Sequence, residues 1–278
     1  MKINNNIGIA IATCGSVDRL GDLLGSFTLK TLSKVEIVVV NDGTKESIEW
    51  IYDQLKVLGD QVNIDVIQHD INKGVGVTKN DGLRHLLKNE NIEHFFVIED
   101  DIRIKDQFVF DQYIEVSKET GIKHFNYALH GLANIKYPSK DPNPRKVISY
   151  ETCKIALYRH CVGAFSYFSR DLLEDIGLIN EEYFNGCDHV EHTKRIADSG
   201  KYHPPFWWFA DLPNSHELLS DIPWSIETST ISSNPKHREI MRKADEIFFK
   251  QYGHYPLQTP QSSIEDVLKT LKKLKPNG

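Results

Sequence analysis

The fold is decided by one stretch of the chain, His94-Phe95-Phe96-Val97-Ile98-Glu99-Asp100-Asp101-Ile102-Arg103-Ile104. Its apolar half is typical of a buried strand in a parallel sheet, and ligands of open α/β sheets bind just beyond the carboxyl ends of such strands. Because adjacent carboxylates repel one another, they need water or a cation nearby, and an all-oxygen site suits Mg²⁺ or Mn²⁺. The stretch therefore predicts either a metal site or an acidic strand end exposed to solvent.

The residues before this stretch alternate apolar runs with helical patterns, in the order expected of βαβ units. Strands are predicted at Ile7–Ala12, Val35–Val40 and Val62–Gln68, and a helix at Val77–Leu87. Another helix after the second strand is indicated by apolar residues at helical spacing, namely Ile48, Ile51, Tyr52 and Leu55. The pattern predicts an α/β fold, with a mixed, mostly parallel sheet flanked by helices.

The pattern is less regular beyond residue 105. The segment Tyr137–Lys146 is rich in proline and charge and predicts a surface loop. A strand is predicted at Ala164–Ser169, with helices at Asp171–Ile176 and Asp188–Ala197. The aromatic block Pro204–Phe209 is too short to span a membrane and is predicted to be a core strand.

Composition narrows the class of protein. The 278 residues are 40% hydrophobic and 26% charged, which is ordinary for a soluble globular chain. The sequence contains neither an apolar stretch long enough to cross a bilayer nor a leader, so a cytoplasmic location is expected. The four cysteines form no CxxC pair, which argues against structural zinc and a disulfide framework. A net charge of −6 argues against nucleic acid as the main partner.

Four short motifs occur in order along the chain: the strand-terminal Asn41-Asp42-Gly43-Thr44, the turn Asn72-Lys73-Gly74, then Lys79-Asn80-Asp81-Gly82 after that turn, and the strand-terminal Glu99-Asp100-Asp101. In order and spacing they resemble the GT-A glycosyltransferases of family 2, and the last is similar to the EDD form of the DXD motif. The resemblance implies a GT-A fold, a Rossmann-like sheet in a single main domain. It also implies a glycosyltransferase that uses a nucleotide-sugar donor, with a UDP-sugar favoured.

The resemblance also implies which residues hold the donor and the metal. The first acidic turn contacts the nucleotide base, and the Asn/Gly turn borders the nucleotide. Asp101 holds a divalent cation, Mn²⁺ or Mg²⁺, against the diphosphate, with His216 as a second ligand on a mobile loop. The full set of nucleotide-contacting residues is Thr13, Asp42, Asn72, Lys79, Asn80, Glu99 and Asp100.

Several of these residues also have structural explanations, which the sequence leaves open. Asp42 can be an acceptor in a turn before Gly43, Asn72 a turn former, Asn80 a helix cap, and His216 a histidine of a surface loop. Lys79 stands where the family usually has arginine. Because lysine is a point charge rather than a bidentate fork, its contact is expected to be weaker or differently aimed.

The segment Tyr183–Glu191 is similar to the acceptor-side motif of the family. Asp188 then takes the place of the general base, and Cys187 replaces the usual glutamate. Glu191 follows as an acceptor ligand, as an ion-pair partner of Arg195 four residues on, or as both. A base in this place implies attack opposite the leaving group, and hence inversion of the anomeric centre.

The acceptor is the part of the reaction on which the sequence is least informative. Trp207 is a candidate for stacking on an acceptor sugar. Because consecutive strand residues face opposite sides, only one of Trp207 and Trp208 can face a given site, and the other is expected to pack in the core. A growing polysaccharide, a lipid-linked glycan and a protein side chain all remain open as acceptors.

The resemblance implies a GT-A domain at residues 1–235, with a nucleotide-binding half at 1–104 and an acceptor-binding half at 105–235. Residues 236–278 are expected to form a helical extension, whose lysines are either a solvated helix end or a peripheral contact with an anionic membrane. Two rival functions remain. A sugar nucleotidyltransferase would need a glycine-rich basic loop after the first strand, which Thr13–Arg19 is not. A non-catalytic binding module would explain Cys187 and Lys79.

Overall fold

The structure is a computed structural model, and it describes residues 6–28, 35–43, 48, 50–51, 63–222 and 234–276. The strands are β1 Ile7–Thr13, β2 Val35–Asn41, β3 Asn63–Gln68, β4 His94–Glu99, β5 Ile102–Ile104, β6 His124–Asn126, β7 Lys146–Ser149, β8 Lys154–Tyr158, β9 Phe165–Ser169, β10 Phe209–Asp211 and β11 Leu219–Asp221. The helices are α1 Val17–Gly25, α2 Val75–Leu87, α3 Val109–Thr120, α4 Arg170–Ile176, α5 Asp188–Asp198, α6 Ser215–Leu218, α7 His237–Tyr252 and α8 Ile264–Leu274.

The central sheet has six strands in the order β3-β2-β1-β4-β9-β6. The first four run parallel to one another, whereas β9 is antiparallel to both β4 and β6. The prediction of a mixed, mostly parallel sheet flanked by helices is therefore confirmed. In this register Thr13 lies beside Asn41, and Ala12 lies beside Glu99. The carboxyl ends of β1, β2 and β4 thus meet at one edge.

Strand β4 is buried on both faces, as its continuous apolar run predicts. Phe96 and Ile98 belong to the larger core, on the side of α1 and α3, whereas Phe95 and Val97 belong to the smaller core beneath α2. Helix α2 lies close to the sheet because Gly82 faces β1: a Cβ on Gly82 would lie 2.7 Å from Ala10 Cβ. This close packing fixes the position of α2 relative to the strand ends.

Two small antiparallel sheets complete the fold, one in the order β10-β8-β7 and the other a ladder of β11 and β5. The ladder pairs Asp221 with Ile102 and Leu219 with Ile104. It therefore brings the chain around residue 221 back to the end of β4, directly beside Asp101.

The buried carboxylate of Asp211, at the end of β10, holds these pieces together. It accepts hydrogen bonds from the Tyr113 hydroxyl at 2.6 Å, the Ser215 hydroxyl at 2.7 Å and the backbone N–H of Ala128 at 2.8 Å. Burial raises the pKa of Asp211 to about 7, although these donors act in the opposite direction. The contact with Ala128 fixes the segment that leads from β6 to His130.

The aromatic block Pro204–Phe209 is not the core strand that its sequence predicts. Only Phe209 lies in β10, and a hydrogen bond from the Trp208 N–H to the Pro205 carbonyl, 3.1 Å long, closes a turn before it. Trp207 has a φ of +74°, in the left-handed region that an extended strand excludes. Both indole N–H groups donate to carbonyls of the segment just before α8. The block therefore anchors the C-terminal residues.

The remaining predicted elements agree with the structure where it describes them. Tyr137–Lys146 is a largely exposed loop, and residues Val267 and Leu271 of α8 join the main core. Ile48 and Ile51 are buried, while Thr44, Tyr52, Leu55 and Val62 lie outside the described residues. Within the described part of the chain, every helix is too short or too polar to cross a bilayer.

Candidate active site

A cavity of about 140 Å³ opens at the edge where β1, β2 and β4 end. Five of the predicted nucleotide-contacting residues line it, whereas Lys79 and Asn80 do not. Its lining residues are Ala12, Thr13, Cys14, Asp42, Asn72, Val75, Thr78, Glu99, Asp100, Asn185 and Asn234. The strand ends therefore converge on one cavity, as open α/β sheets generally place a ligand.

Asp100 is held by its neighbours at the floor of this cavity. The Thr13 hydroxyl donates to Asp100 Oδ2 at 2.6 Å, and Arg19 Nε lies 3.7 Å from Asp100 Oδ1. Burial raises the pKa of Asp100 to about 6, even though both of these contacts act to lower it. Asp100 thus ties the end of β4 to the turn that follows β1.

Asp42 ties the end of β2 to the Asn/Gly turn. Its carboxylate accepts hydrogen bonds from the backbone N–H groups of Lys73 at 2.8 Å and Gly74 at 2.9 Å. The two segments approach so closely that a Cβ on Gly43 would lie 2.0 Å from the Asn72 backbone nitrogen. Asp42 is therefore a turn acceptor, but for the turn at residues 72–74 rather than for one before Gly43. It still faces the cavity.

His69 is a site residue that the sequence analysis missed. Its ring is buried, with Nδ1 2.8 Å from Asp42 Oδ1 and Nε2 2.9 Å from Asp81 Oδ2. The His69 ring therefore bridges Asp42, after β2, and Asp81 of α2. The available signal was its place directly after β3, at the same edge of the sheet as Asp42.

Asn72 and Asn80 behave differently. Asn72 lines the cavity and accepts from the Gly74 N–H at 3.1 Å, while its amide donates to the Cys14 sulfur at 3.2 Å. Asn80 lies in the middle of α2, buried, and its amide group exchanges two hydrogen bonds with the backbone of Ile179. The structure thus places Asn80 neither at the cavity nor at a helix cap, and its role is to hold the segment that precedes α5.

Lys79 does not line the cavity either, and its side chain is buried. Its Nζ lies 2.7 Å from Glu99 Oε1, 3.2 Å from Asp188 Oδ2 and 3.3 Å from the Gly163 carbonyl oxygen. Burial alone would lower the pKa of Lys79, but the two carboxylates outweigh it and raise the pKa above its ordinary value. Lys79 therefore links the end of β4 to the first residue of α5.

Asp188, the predicted general base, is buried at the start of α5. Burial alone would raise the pKa of Asp188, but Lys79 and His189 together hold it well below its ordinary value. The loop before it is unusually constrained, since Asn185 and Cys187 both have positive φ angles, of 54° and 60°. Asp188 is thus ionised, which a base requires, but it is a weak base as long as Lys79 is bound.

Oδ1 of Asp101 is buried and has no hydrogen-bond partner. Among the carboxylate oxygens of Glu99, Asp100 and Asp101, it is the one in this state. Its other oxygen, Oδ2, lies 3.6 Å from His130 Nε2, and His130 Nδ1 lies 2.9 Å from Asp221 Oδ1. Burial alone would lower the pKa of His130, but these two carboxylates raise it to about 9. Neither His130 nor Asp221 was predicted from the sequence.

The residues around Asp101 fit a divalent cation that is shared with a substrate. Within the described ranges, no three His, Cys, Asp or Glu side chains form a ready-made metal site. Mg²⁺, however, is commonly held by only one or two carboxylates together with substrate phosphates and water. The unpartnered Oδ1 of Asp101 is a suitable ligand of this kind.

His216 is not brought to Asp101 in this structure. It lies on α6, exposed, and its backbone carbonyl accepts a hydrogen bond from Lys105 Nζ at 2.8 Å. At one end of the β5–β11 ladder the Lys105 N–H donates to the Leu218 carbonyl, and at the other end the Ile222 N–H donates to the Asp101 carbonyl. The helix that carries His216 therefore meets the ladder at the end away from Asp101. His130 occupies the place beside Asp101 that His216 was expected to take.

The predicted acceptor-binding residues are both buried. Glu191 Oε1 accepts from Arg195 Nε at 2.7 Å, the Tyr252 hydroxyl at 2.8 Å and Gln251 Nε2 at 2.9 Å, so the ion pair with Arg195 is present. These contacts join α5 to α7 and leave the Glu191 carboxylate no exposed surface. Trp207 is 7% exposed, too little for a sugar to stack on its ring. The structure therefore gives both residues packing roles.

The sequence model of Glycosyl transferase family 2 matches residues 8–177, more than half of the chain. The chain belongs to this family. The predicted resemblance to family 2 glycosyltransferases is thereby confirmed. The match ends before Asp188, so the acceptor-side roles depend on the geometry alone. A comparison with curated proteins gave no match.

Solved structures support the fold of this family 2 chain. TarS of S. aureus, residues 1–349 in complex with UDP, is 17% identical over 69% of this chain and 55% of that one, with a TM-score of 0.50. The mannosyltransferase PcManGT of Pyrobaculum calidifontis, in complex with GDP-Man and Mn²⁺, is 13% identical over 97% of this chain and 69% of that one, with a TM-score of 0.57. The GT-A fold is confirmed, and this chain spans about half of the TarS fragment.

Proposed function

We propose that this chain is a metal-dependent glycosyltransferase that moves a sugar from a nucleotide-sugar donor, preferably a UDP-sugar, to a hydroxyl acceptor. The observation that carries the proposal is the cavity at the strand ends, whose floor is formed by the carboxylates that end β4. The similar structures add support, since TarS is in complex with UDP and PcManGT with GDP-Man and Mn²⁺.

Electrostatics explains why a metal is part of this proposal. A diphosphate cannot lie against Glu99, Asp100 and Asp101 unless a cation compensates the repulsion between the anions. Asp101 would hold a divalent ion, which when bound would supply that compensation and stabilise the charge on the leaving diphosphate. Asp42 and Asn72 border the space for the nucleoside, while Thr13 holds Asp100 in place.

Asp188 takes the proton of the acceptor hydroxyl, and attack opposite the leaving group inverts the anomeric centre. Lys79 regulates this base, because its single ammonium group is shared between Glu99 and Asp188. Negative charge that arrives with the donor near Glu99 competes with Asp188 for Lys79. As the pairing between Lys79 and Asp188 weakens, the pKa of Asp188 rises and the carboxylate becomes a better base.

A thermal-shift series tests the donor and the metal. The protein is heated with UDP, GDP or a UDP-sugar, with and without Mn²⁺ or Mg²⁺, since a ligand that binds only the native state raises the melting temperature. A rise with UDP only when metal is present supports the proposal. Asp101→Asn should lose that rise, and Glu90→Gln, an exposed carboxylate outside the cavity, should keep it. No nucleotide response in the presence of metal would contradict the proposal.

The role of the base is tested separately. Asp188→Asn should lower the rates of metal-dependent donor hydrolysis and of sugar transfer at least about a hundredfold. The same variant should keep the nucleotide-dependent thermal shift, because Asp188 does not line the cavity. Turnover that survives in Asp188→Asn would remove Asp188 from this role, and the product's anomeric configuration checks the inversion directly.

A further inference from the structure

A positively charged arm begins directly beside the metal end of the site. The arm, residues 131–146, contains four Lys or Arg against one Asp, in a chain whose net charge is −6. Its first residue, Gly131, donates its backbone N–H to Asp221 Oδ2 at 2.7 Å, and the residue before it, His130, contacts Asp101. The charge of the arm is therefore opposite to that of the acidic strand ends from which it starts.

The arm is built into the fold by its own hydrogen bonds. Lys136 N–H donates to the Asp141 carbonyl at 2.8 Å, and Ile135 and Pro142 form an isolated bridge. At its base, the buried Asn134 amide donates to the carbonyls of Ala128 at 2.8 Å and His160 at 2.9 Å. These contacts hold the backbone of the arm in place, so little backbone entropy is lost when a ligand binds.

The cations of the arm are available to a ligand. Lys136, Lys140 and Lys146 are exposed, and in the described part of the chain no carboxylate lies within ion-pair distance of any of them. Tyr137, between the first two lysines, is 94% exposed. Arg145 instead lies 3.8 Å above the ring of Trp208 and supports the arm. The arm thus offers three ammonium groups and one aromatic ring to solvent.

None of the exposed groups of the arm lines the cavity proposed for the donor. Five residues lie between His130 and Lys136, and this stretch can span up to about 20 Å when extended. Three unpaired ammonium groups attract phosphate or carboxylate groups much more strongly than they attract a neutral sugar. Exposed aromatic rings, in turn, stack on sugar rings. A ligand that contacts both the site and the arm must be an extended chain that carries negative charge.

We propose that the arm binds the acceptor, and that the acceptor is an anionic glycan chain that carries phosphate or carboxylate groups. This inference rests on the proposed transferase function and specifies its acceptor class. Binding at the arm orients the chain so that a hydroxyl group reaches the site, and the affinity depends on salt because lysines neutralise charges on the ligand.

The test uses fluorescence anisotropy with labelled polygalacturonate, a carboxylate-bearing glycan, and with neutral dextran as the comparison ligand. The wild-type protein should bind polygalacturonate, more weakly as salt is raised, and should not bind dextran. The double variant Lys136→Glu/Lys140→Glu should lose at least about tenfold in affinity. The matched control, Lys272→Glu/Lys273→Glu on α8, makes the same charge change at another exposed surface and should bind as the wild type does.

A further variant separates sugar stacking from charge alone. Tyr137→Ala should weaken polygalacturonate binding about threefold or more, and should leave the binding of inorganic polyphosphate unchanged because polyphosphate has no ring to stack. Both arm variants should keep the metal-dependent nucleotide thermal shift of the wild type, so a fault in the donor site would be visible separately.

Three results would overturn the inference. In the first, the wild type does not bind polygalacturonate although nucleotide and metal stabilise the protein. In the second, the arm and α8 double variants lose equal amounts of polygalacturonate affinity. In the third, the wild type binds vesicles that contain phosphatidylserine but not the soluble polyanions. The last result would assign the arm to a membrane surface instead. If the wild type shows no nucleotide response at all, the transferase proposal fails whatever the arm binds.

Discussion

Replacement of Lys79 by methionine is the change whose consequence can be worked out furthest from this structure. Methionine keeps the length and the apolar stem of the side chain but removes the ammonium group that contacts Glu99 and Asp188. Glu99 is partly exposed and can be hydrated, whereas Asp188 is buried and keeps only the His189 ring, 3.4 Å away, as a partner. Removing one partner of a buried pair typically costs about 3–5 kcal/mol of folding free energy.

If Asp188 instead takes up a proton in the folded variant, the free-energy cost is of similar size. The ordinary pKa of Asp188 is 3.8. Each pH unit above the pKa adds about 1.4 kcal/mol to the cost of holding the carboxyl neutral, so at pH 7 the cost is about 4 kcal/mol. Because burial without Lys79 raises the pKa of Asp188, the folded variant takes up a proton as the pH falls. Its deficit relative to the wild type should shrink by up to about 2.7 kcal/mol between pH 7 and pH 5.

The sign differs in the wild type. There the pKa of Asp188 lies below its ordinary value, so its contribution to stability is present above about pH 4 and is lost only in stronger acid. Urea denaturation of both proteins at pH 5, 6 and 7 measures the difference. The double variant Lys79→Met/Asp188→Asn, which has no charge at either position, should be more stable than Lys79→Met at pH 7, and its deficit should not depend on pH. A deficit in Lys79→Met that is below about 1 kcal/mol or constant over this range would refute the argument.

Three other changes test separate features. Burial alone would lower the pKa of His130, but two neighbouring carboxylates raise it to about 9, so its contribution to stability is full below about pH 6.5 and lost as the pH rises through 9. His130→Asn should remove that decline in metal-free urea denaturation. Asp211→Ala leaves several buried donors without an acceptor, and each such donor costs about 1–3 kcal/mol. Urea denaturation should therefore show a loss of at least about 3 kcal/mol in unfolding free energy, against less than about 0.5 kcal/mol for Asp141→Ala at an exposed position. Gly43→Ala places a Cβ 2.0 Å from the Asn72 backbone nitrogen, at a φ of +71°. The variant should bind UDP more weakly in calorimetry and should be less stable in urea denaturation. UDP affinity equal to that of the wild type would contradict the role assigned to this turn.

The sequence predicts well what depends on local patterns. The continuous apolar run of β4 identifies a strand buried on both faces, and a strand that ends in three carboxylates identifies the edge where the cavity lies. Even the interior position of Lys79 could have been found, because Lys79, Leu83 and Leu86 share one face of α2 at helical spacing, and a lysine on a buried face requires carboxylate partners.

Contacts between distant segments could not be predicted in this way. Asp221 comes close to Asp101 because β11 pairs with β5 in one register, and His130 is brought there by the segment after β6 that Asp211 holds. Nothing local to any of these residues specifies that arrangement. The same pairing places His216 at the far end of the ladder. Trp207 was misassigned because aromatic residues favour strands, whereas its left-handed backbone angle is set by tertiary packing.

The contact between Glu191 and the end of α7 has a consequence for how relatives of this chain diverge. The acid stands on α5, the helix that begins with Asp188, and two of its three donors, Gln251 and Tyr252, are the last two residues of α7. A buried acid that loses its donors is costly, so the three positions should covary: relatives that keep the acid keep donors at both positions, and relatives that lose it lose them together. Helices α5 and α7 are then expected to be inherited as one unit, so that exchanging α7 alone between relatives should destabilise the protein.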